Sequence, residues 1–125
     1  MEDKDALTGR IIECAIKVHR ELGPGLLETA YEKCLCYELK KAGFVVESQV
    51  EMPVVYKQVE IDCGYRLDVV VNRQVILELK TVERLLPIHE AQLLTYLKLA
   101  KIRRGLLLNF NVPYLKDGIK RMVNG

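Results

Sequence analysis

The chain has 125 residues, a formal net charge of +2, 50% hydrophobic and 29% charged residues, and is long enough to bury about two-thirds of its unfolded surface around one core. It reads as one ordinary globular domain over residues 1–125. No apolar run approaches the roughly 20 residues that cross a bilayer, and the opening MEDKDALTGR is too polar for a signal peptide. A cytoplasmic protein without a membrane partner is therefore expected, and the small net charge does not by itself argue for nucleic acid.

A first helix is predicted from about Leu7 to Leu22, with Ile11, Ile12, Ala15, Ile16, Val18 and Leu22 as a broad apolar stripe and His19 packed beside it. Gly23, Pro24 and Gly25 break it. A second helix is expected from near Leu26 to a cap at Gly43. Along it Glu28, Tyr31, Leu35, Leu39 and Ala42 share one face, apolar except for Glu28, while Glu32 is expected to reach solvent. Glu28 has two readings: a carboxylate aimed at the core, which needs a partner, or a first-turn acid complementing the helix dipole.

The stretch FVVESQVEMPVVYKQV, residues 44–59, should hold one or two strands, with Pro53 at an edge, bend or bulge. Lys57 and Gln58 form a turn into a strand from Ile61 to Asn72, and Gln74 to Val82 completes an antiparallel meander. Here GYRLDVVVNRQVILELKTV, residues 64–82, puts Asp68 on one strand and Glu78 and Lys80 on the next. Side chains alternate along a strand, so Glu78 and Lys80 share a face and Leu77, Leu79 and Thr81 take the other. If Asn72, Arg73 and Gln74 form the loop, Val71 faces Val75 and Asp68 lies opposite Glu78. Like charges so placed, with Cβ atoms about 5 Å apart, destabilise a sheet. Either both are ordinary positions on a half-solvated face, or a protonated carboxylate, Lys80 or a bound divalent metal offsets the repulsion. Two carboxylates converging with a backbone carbonyl suit a hard cation such as Mg²⁺.

Pro87 sits well at the first turn of a third helix. Ile88, Ala91, Gln92, Thr95 and Leu99 share one face, Leu93, Leu94, Leu97 and Ala100 extend the buried area, and the Gln92 amide needs a partner. LLLNFNV after Gly105 fits a strand buried on both faces. The tail PYLKDGIKRMVNG reads as a loop and a short amphipathic helix. Lys98, Lys101, Arg103 and Arg104 cluster, and Lys116, Lys120 and Arg121 follow; these are either solvated helix faces or a phosphate-binding surface. Cys14, Cys34, Cys36 and Cys63 lack zinc-type C-x-x-C spacing and are buried free thiols or, together, ligands of an iron–sulfur cluster.

The order helix, three-strand meander, helix, strand, with an acid on the middle strand and E-x-K on the next, resembles the core of the PD-(D/E)xK phosphodiesterase superfamily. Within it GLLETAYE, residues 25–32, is similar to the motif of the GxxExxY family of small bacterial and archaeal proteins, as are ILELK, LPIHEAQLLTYL and LLLNFNVPYLKDGIKR. The resemblance implies an α/β (α+β) fold with a restriction-endonuclease-like α-β-β-β-α-β core, a mixed central sheet flanked by helices. It makes Asp68, Glu78 and the Leu79 carbonyl ligands of Mg²⁺ or Mn²⁺, and Lys80 the catalytic lysine. Glu28 matches an additional helix carboxylate and Gln92 the polar residue on the helix after E-x-K. Tyr31 is then a packing residue whose hydroxyl braces the site. Leu67 stands where the superfamily pattern has proline. The implied activity is metal-dependent cleavage of DNA, or of RNA; the alternative is a non-catalytic nucleic-acid-binding or protein-interaction module that keeps the fold. A chain this short leaves little room for a separate gripping element, which a homodimer would supply.

Overall fold

The computed structural model describes residues 5–125. Asp5 caps the first helix, α1 (Ala6–Leu22), by accepting the Thr8 N–H at 2.7 Å. There follow α2 (Glu28–Lys41), β1 (Val46–Glu51), β2 (Val54–Tyr56), β3 (Val59–Ile61), β4 (Arg66–Val71), β5 (Val75–Lys80), α3 (Pro87–Ala100), β6 (Arg104–Asn109), a 3-10 turn (Leu115–Gly118) and β7 (Ile119–Val123).

Strand alternation builds three layers. Val69, Val71, Val75, Leu77, Leu79, Leu106 and Leu108 turn to one side of the sheet, where they bury Ile11, Ala15 and Val18 of α1 and Tyr31, Leu35 and Leu39 of α2. Val70, Ile76 and Leu107 turn to the other and meet Leu93, Tyr96 and Leu97 of α3. Complete burial of each such aliphatic side chain stabilises the fold by about 2 kcal/mol. The five-stranded sheet has the order β1-β4-β5-β6-β7; β5 and β6 are parallel, joined through α3, and the other pairs are antiparallel. This is the mixed sheet flanked by helices of a restriction-endonuclease-like fold. The turn Asn72 to Gln74 has the expected parity, with Val71 paired to Val75 and Val69 to Leu77. Consequently the start of β4 and the ends of β5 and β6 lie at one end of the sheet.

Three expectations require correction. The Lys57–Gln58 turn does not lead into the main sheet: β2 and β3 form a hairpin of their own, and the strand expected from Ile61 to Asn72 is divided at residues 62–65. The hairpin is exposed along Val55, Tyr56, Val59 and Ile61, so it gains little by joining the core. After the 3-10 turn the tail forms β7 and not an amphipathic helix, because its backbone pairs with the exposed edge of β6, from Arg104↔Val123 to Leu108↔Ile119. Gly118 makes this return possible: a Cβ there would collide with the backbone carbonyl of Asn109. On α3, Ile88, Ala91, Gln92 and Thr95 are exposed while Leu93, Tyr96 and Leu97 are buried. Apolar residues surround this helix, and periodicity alone did not single out its inner face.

Candidate active site

At the shared end of the sheet the β4–β5 ladder stops at the pair Val69↔Leu77. Beyond it, side chains replace backbone partners. The Asp68 N–H donates to Glu78 Oε2 at 3.0 Å, and the Leu79 N–H donates to Asp68 Oδ2 at 2.8 Å. Each carboxylate thus satisfies the other strand's orphaned amide, which fixes both acids in one fork. A strand residue points its N–H and C=O to the same side, so the Leu79 carbonyl also faces this fork.

Glu78 is 4% exposed. Burial above all, then the neighbouring Asp68 carboxylate, pushes its carboxyl up to about 8, while the Asp68 amide and Lys80 pull the other way. Burial likewise raises Asp68, opposed by the Leu79 amide, Lys80 and Gln49. Glu28, in the first turn of α2, is raised by partial burial and by Asp68, and lowered by Lys80. The fold therefore brings Glu28, Asp68, Glu78 and Lys80 within electrostatic reach of one another, with a deficit of positive charge among three acids.

The loop before α2 explains how Glu28 is held. Gly25 takes φ +102°, a backbone that only glycine adopts without strain. Tyr31, fully buried, donates its hydroxyl proton to the Gly23 carbonyl at 2.6 Å and accepts from the Leu26 N–H at 3.1 Å. Its ring stacks on Phe110, with centroids 4.5 Å apart. One side chain thus ties both ends of the loop that delivers Glu28 to the site. Asn109 fixes the other approach. Paired with Lys80 across β5 and β6, it exchanges two hydrogen bonds with Val82, its Oδ1 accepting at 3.1 Å and its Nδ2 donating at 2.9 Å.

Sequence reasoning missed several residues here. Glu32 does not reach solvent: it is buried and accepts from Gln49 Nε2 at 2.8 Å. Burial raises its carboxyl, and the Gln49 amide lowers it. Glu32 lies one turn beyond Glu28, on the same side of α2 and inside GLLETAYE, so its spacing was the available signal. Gln49 had none. Tyr96 also approaches: burial, then Glu78, pushes its phenol up, and the exposed Gln92 opposes that rise.

The basic cluster is not brought to this end. Arg104 starts β6 opposite Val75, at the far end of β5 from Lys80, and its Nε meets Asp5 Oδ2 at 2.9 Å. Lys101, Arg103 and Arg104 line a cavity there together with Asp5 and Arg73. The thiols also differ from expectation: only Cys36 is buried, Cys34 and Cys63 are exposed, and among the described residues no cluster of His, Cys, Asp or Glu forms a side-chain metal cage. His19 is packed as expected, with its Nε2 2.8 Å from the Val112 carbonyl oxygen.

The model of a family assigned to the PD-(D/E)XK nuclease superfamily matches residues 5–122. The chain belongs to that superfamily. The match carries a nuclease-like function, a nucleic-acid substrate and the superfamily's general use of divalent metal ions. No curated protein and no solved structure matches the chain. Among the described residues, no helix of this superfamily member is long and apolar enough to cross a membrane.

The donor set fits a divalent cation of the superfamily kind. Each fork acid uses one oxygen on a backbone amide, and the two carboxylates and the Leu79 carbonyl are oxygen donors of the type that Mg²⁺ and Mn²⁺ prefer. The raised carboxyls of Asp68 and Glu78 mark a place where added positive charge is favoured.

Proposed function

We propose that this chain is a Mg²⁺- or Mn²⁺-dependent phosphodiesterase of the GxxExxY kind, acting on DNA, or on RNA, through Asp68, Glu78, Lys80 and Glu28. The reading rests on one observation: two desolvated carboxylates locked in a single fork, Glu78 by the Asp68 amide and Asp68 by the Leu79 amide. Asp68, Glu78 and the Leu79 carbonyl would hold the cation, which when bound supplies Lewis-acid polarisation of a phosphoryl oxygen and a more acidic water.

The chain's own groups do the rest. Lys80, on the same face as Glu78, offsets charge developing on the phosphate and holds the attacking water. Glu28 accepts from that water or from a second hydrated ion. Tyr31 acts at one remove, by keeping the loop before Glu28 closed. Lys33 and Lys40 would meet phosphates along a strand leaving the site, a reading supported by the cavity of about 640 Å³ that they line with Tyr37, Glu32 and Gln49.

One observation favours a second reading, a non-catalytic nucleic-acid-binding module: no third acidic, His or Cys side chain completes a cage around the fork among the described residues. Cleavage of labelled single-stranded and duplex DNA and RNA, with Mn²⁺ and with chelator, separates the two. Metal-dependent cleavage that is lost in Glu78→Gln is expected. Binding of the same oligonucleotides with no cleavage under any divalent cation would establish the second reading.

A further inference from the structure

Gln49 has a backbone φ of +51° in the middle of β1. A residue other than glycine rarely takes this conformation, and never at no cost, because its Cβ crowds the neighbouring carbonyl. Such outliers persist where the surroundings enforce them and gather at functional sites. The flanking residues Ser48 and Val50 pair with Val69 and Leu67, so Gln49 lies across from Asp68. A left-handed residue interrupts strand alternation and re-aims its side chain. Here the carboxamide donates to Glu32 Oε1 at 2.8 Å, and from its place across from Asp68 it favours the ionised form of that carboxylate.

A primary amide has two N–H donors and can serve two acceptors at once. The two acids beside it stand on different elements, Glu32 on α2 and Asp68 on β4. Asp68 is then held by the Leu79 amide and faced by Gln49 from the neighbouring strand. Glu32 is buried and has no cation against it in the ion pairs of the described residues, so its contact with Gln49 carries most of its compensation.

We propose that Gln49, anchored by Glu32, is a positioning residue for Asp68: it sets the aspartate side chain in the orientation from which it binds the cation. This rests on the metal-dependent reading above for its consequence, though not for its geometry. Outer hydrogen-bond partners of metal ligands commonly change affinity by about 10- to 100-fold when removed. Nothing in the backbone calls for glutamine at a left-handed position, where glycine would sit without strain. The side chain accounts for it.

Gln49→Gly is the decisive variant, because glycine accepts the left-handed backbone without strain while the side chain, carboxamide included, is removed. Two measurements apply: Mn²⁺ affinity by titration calorimetry, and the Asp68 rotamer in a metal-free crystal structure of the variant. The expected result is an Asp68 side chain that has rotated and Mn²⁺ binding weakened about 10-fold. Glu32→Ala should weaken binding in the same direction, and the double variant no more than Gln49→Gly alone, since both act through one hydrogen-bonded path. An unmoved Asp68 in Gln49→Gly, or additive losses in the double variant, overturns the proposal. If the unmutated chain binds no Mn²⁺, the metal-dependent reading fails, and the Asp68 rotamer still decides whether Gln49 positions it.

Discussion

Asp68 and Glu78 exchange roles across a broken ladder: Glu78 Oε2 accepts the Asp68 N–H at 3.0 Å, and Asp68 Oδ2 accepts the Leu79 N–H at 2.8 Å. Each acid is therefore structural and chemical at once, and the two contributions are separable by substitution. Glu78→Gln keeps an amide oxygen for the Asp68 N–H but loses the carboxylate. Glu78→Ala leaves that N–H unpaired, which costs about 1–3 kcal/mol. In urea denaturation of the metal-free protein at neutral pH, Gln should be close to the unmutated chain and Ala lower by about that amount. Cleavage should fall at least about 100-fold in both.

The raised Glu78 carboxyl has a signed consequence for stability. Its folded value is about 8 against an ordinary glutamate value of 4.5, so between these the native state binds more protons than the unfolded chain. Its contribution is fully present below about 4.5 and is lost as pH rises through about 8. The thermal midpoint of the metal-free protein should fall across this window, and Glu78→Gln should flatten the fall. Mg²⁺ competes with the proton, so its affinity should climb over the same range. A midpoint that rises with pH there, equally in the unmutated chain and in Glu78→Gln, would show that Glu78 is ionised without a cation.

Tyr31→Phe preserves the stack on Phe110 and removes the hydroxyl that joins the Gly23 carbonyl to the Leu26 amide. Two lost hydrogen bonds predict a destabilisation of about 1–3 kcal/mol. Because the loop they tie ends at Glu28, activity should fall by more than the folded fraction does. Chemical denaturation and initial rates on the same samples measure both.

Lys33 and Lys40 line the cavity beside the Glu32–Gln49 pair. Their joint replacement by alanine should weaken oligonucleotide binding for all sequences alike. For a single strand contacted at two phosphates, the slope of log affinity against log salt should lose about 1.4. Fluorescence anisotropy at four or five salt concentrations reads this directly, and an unchanged slope would remove both lysines from the binding surface.

The site was legible where parity governs it. Val71 facing Val75 follows from a three-residue turn, and with it the meeting of Asp68 and Glu78. Glu32 was misread because helical spacing places it beside Glu28 without telling which of the two is covered; that depends on β1, distant in sequence, which brings Gln49 over it. Gln49 itself was illegible, since a left-handed glutamine inside a strand contradicts every local preference. Ile119 to Val123 looked helical because the pull of an open β6 edge leaves no mark on the segment that covers it. The α3 face was ambiguous for the opposite reason: apolar residues lie on too many of its sides.

The most direct measurement is a crystal soaked in Mn²⁺, read by anomalous scattering. A single peak is expected in the β4–β5 fork, about 2.1–2.3 Å from an oxygen of Asp68, an oxygen of Glu78 and the Leu79 carbonyl, and none is expected in Glu78→Gln. A fork without a peak at saturating Mn²⁺, Glu78 still bonded to the Asp68 amide and Asp68 to the Leu79 amide, would contradict the assignment of these residues as metal ligands.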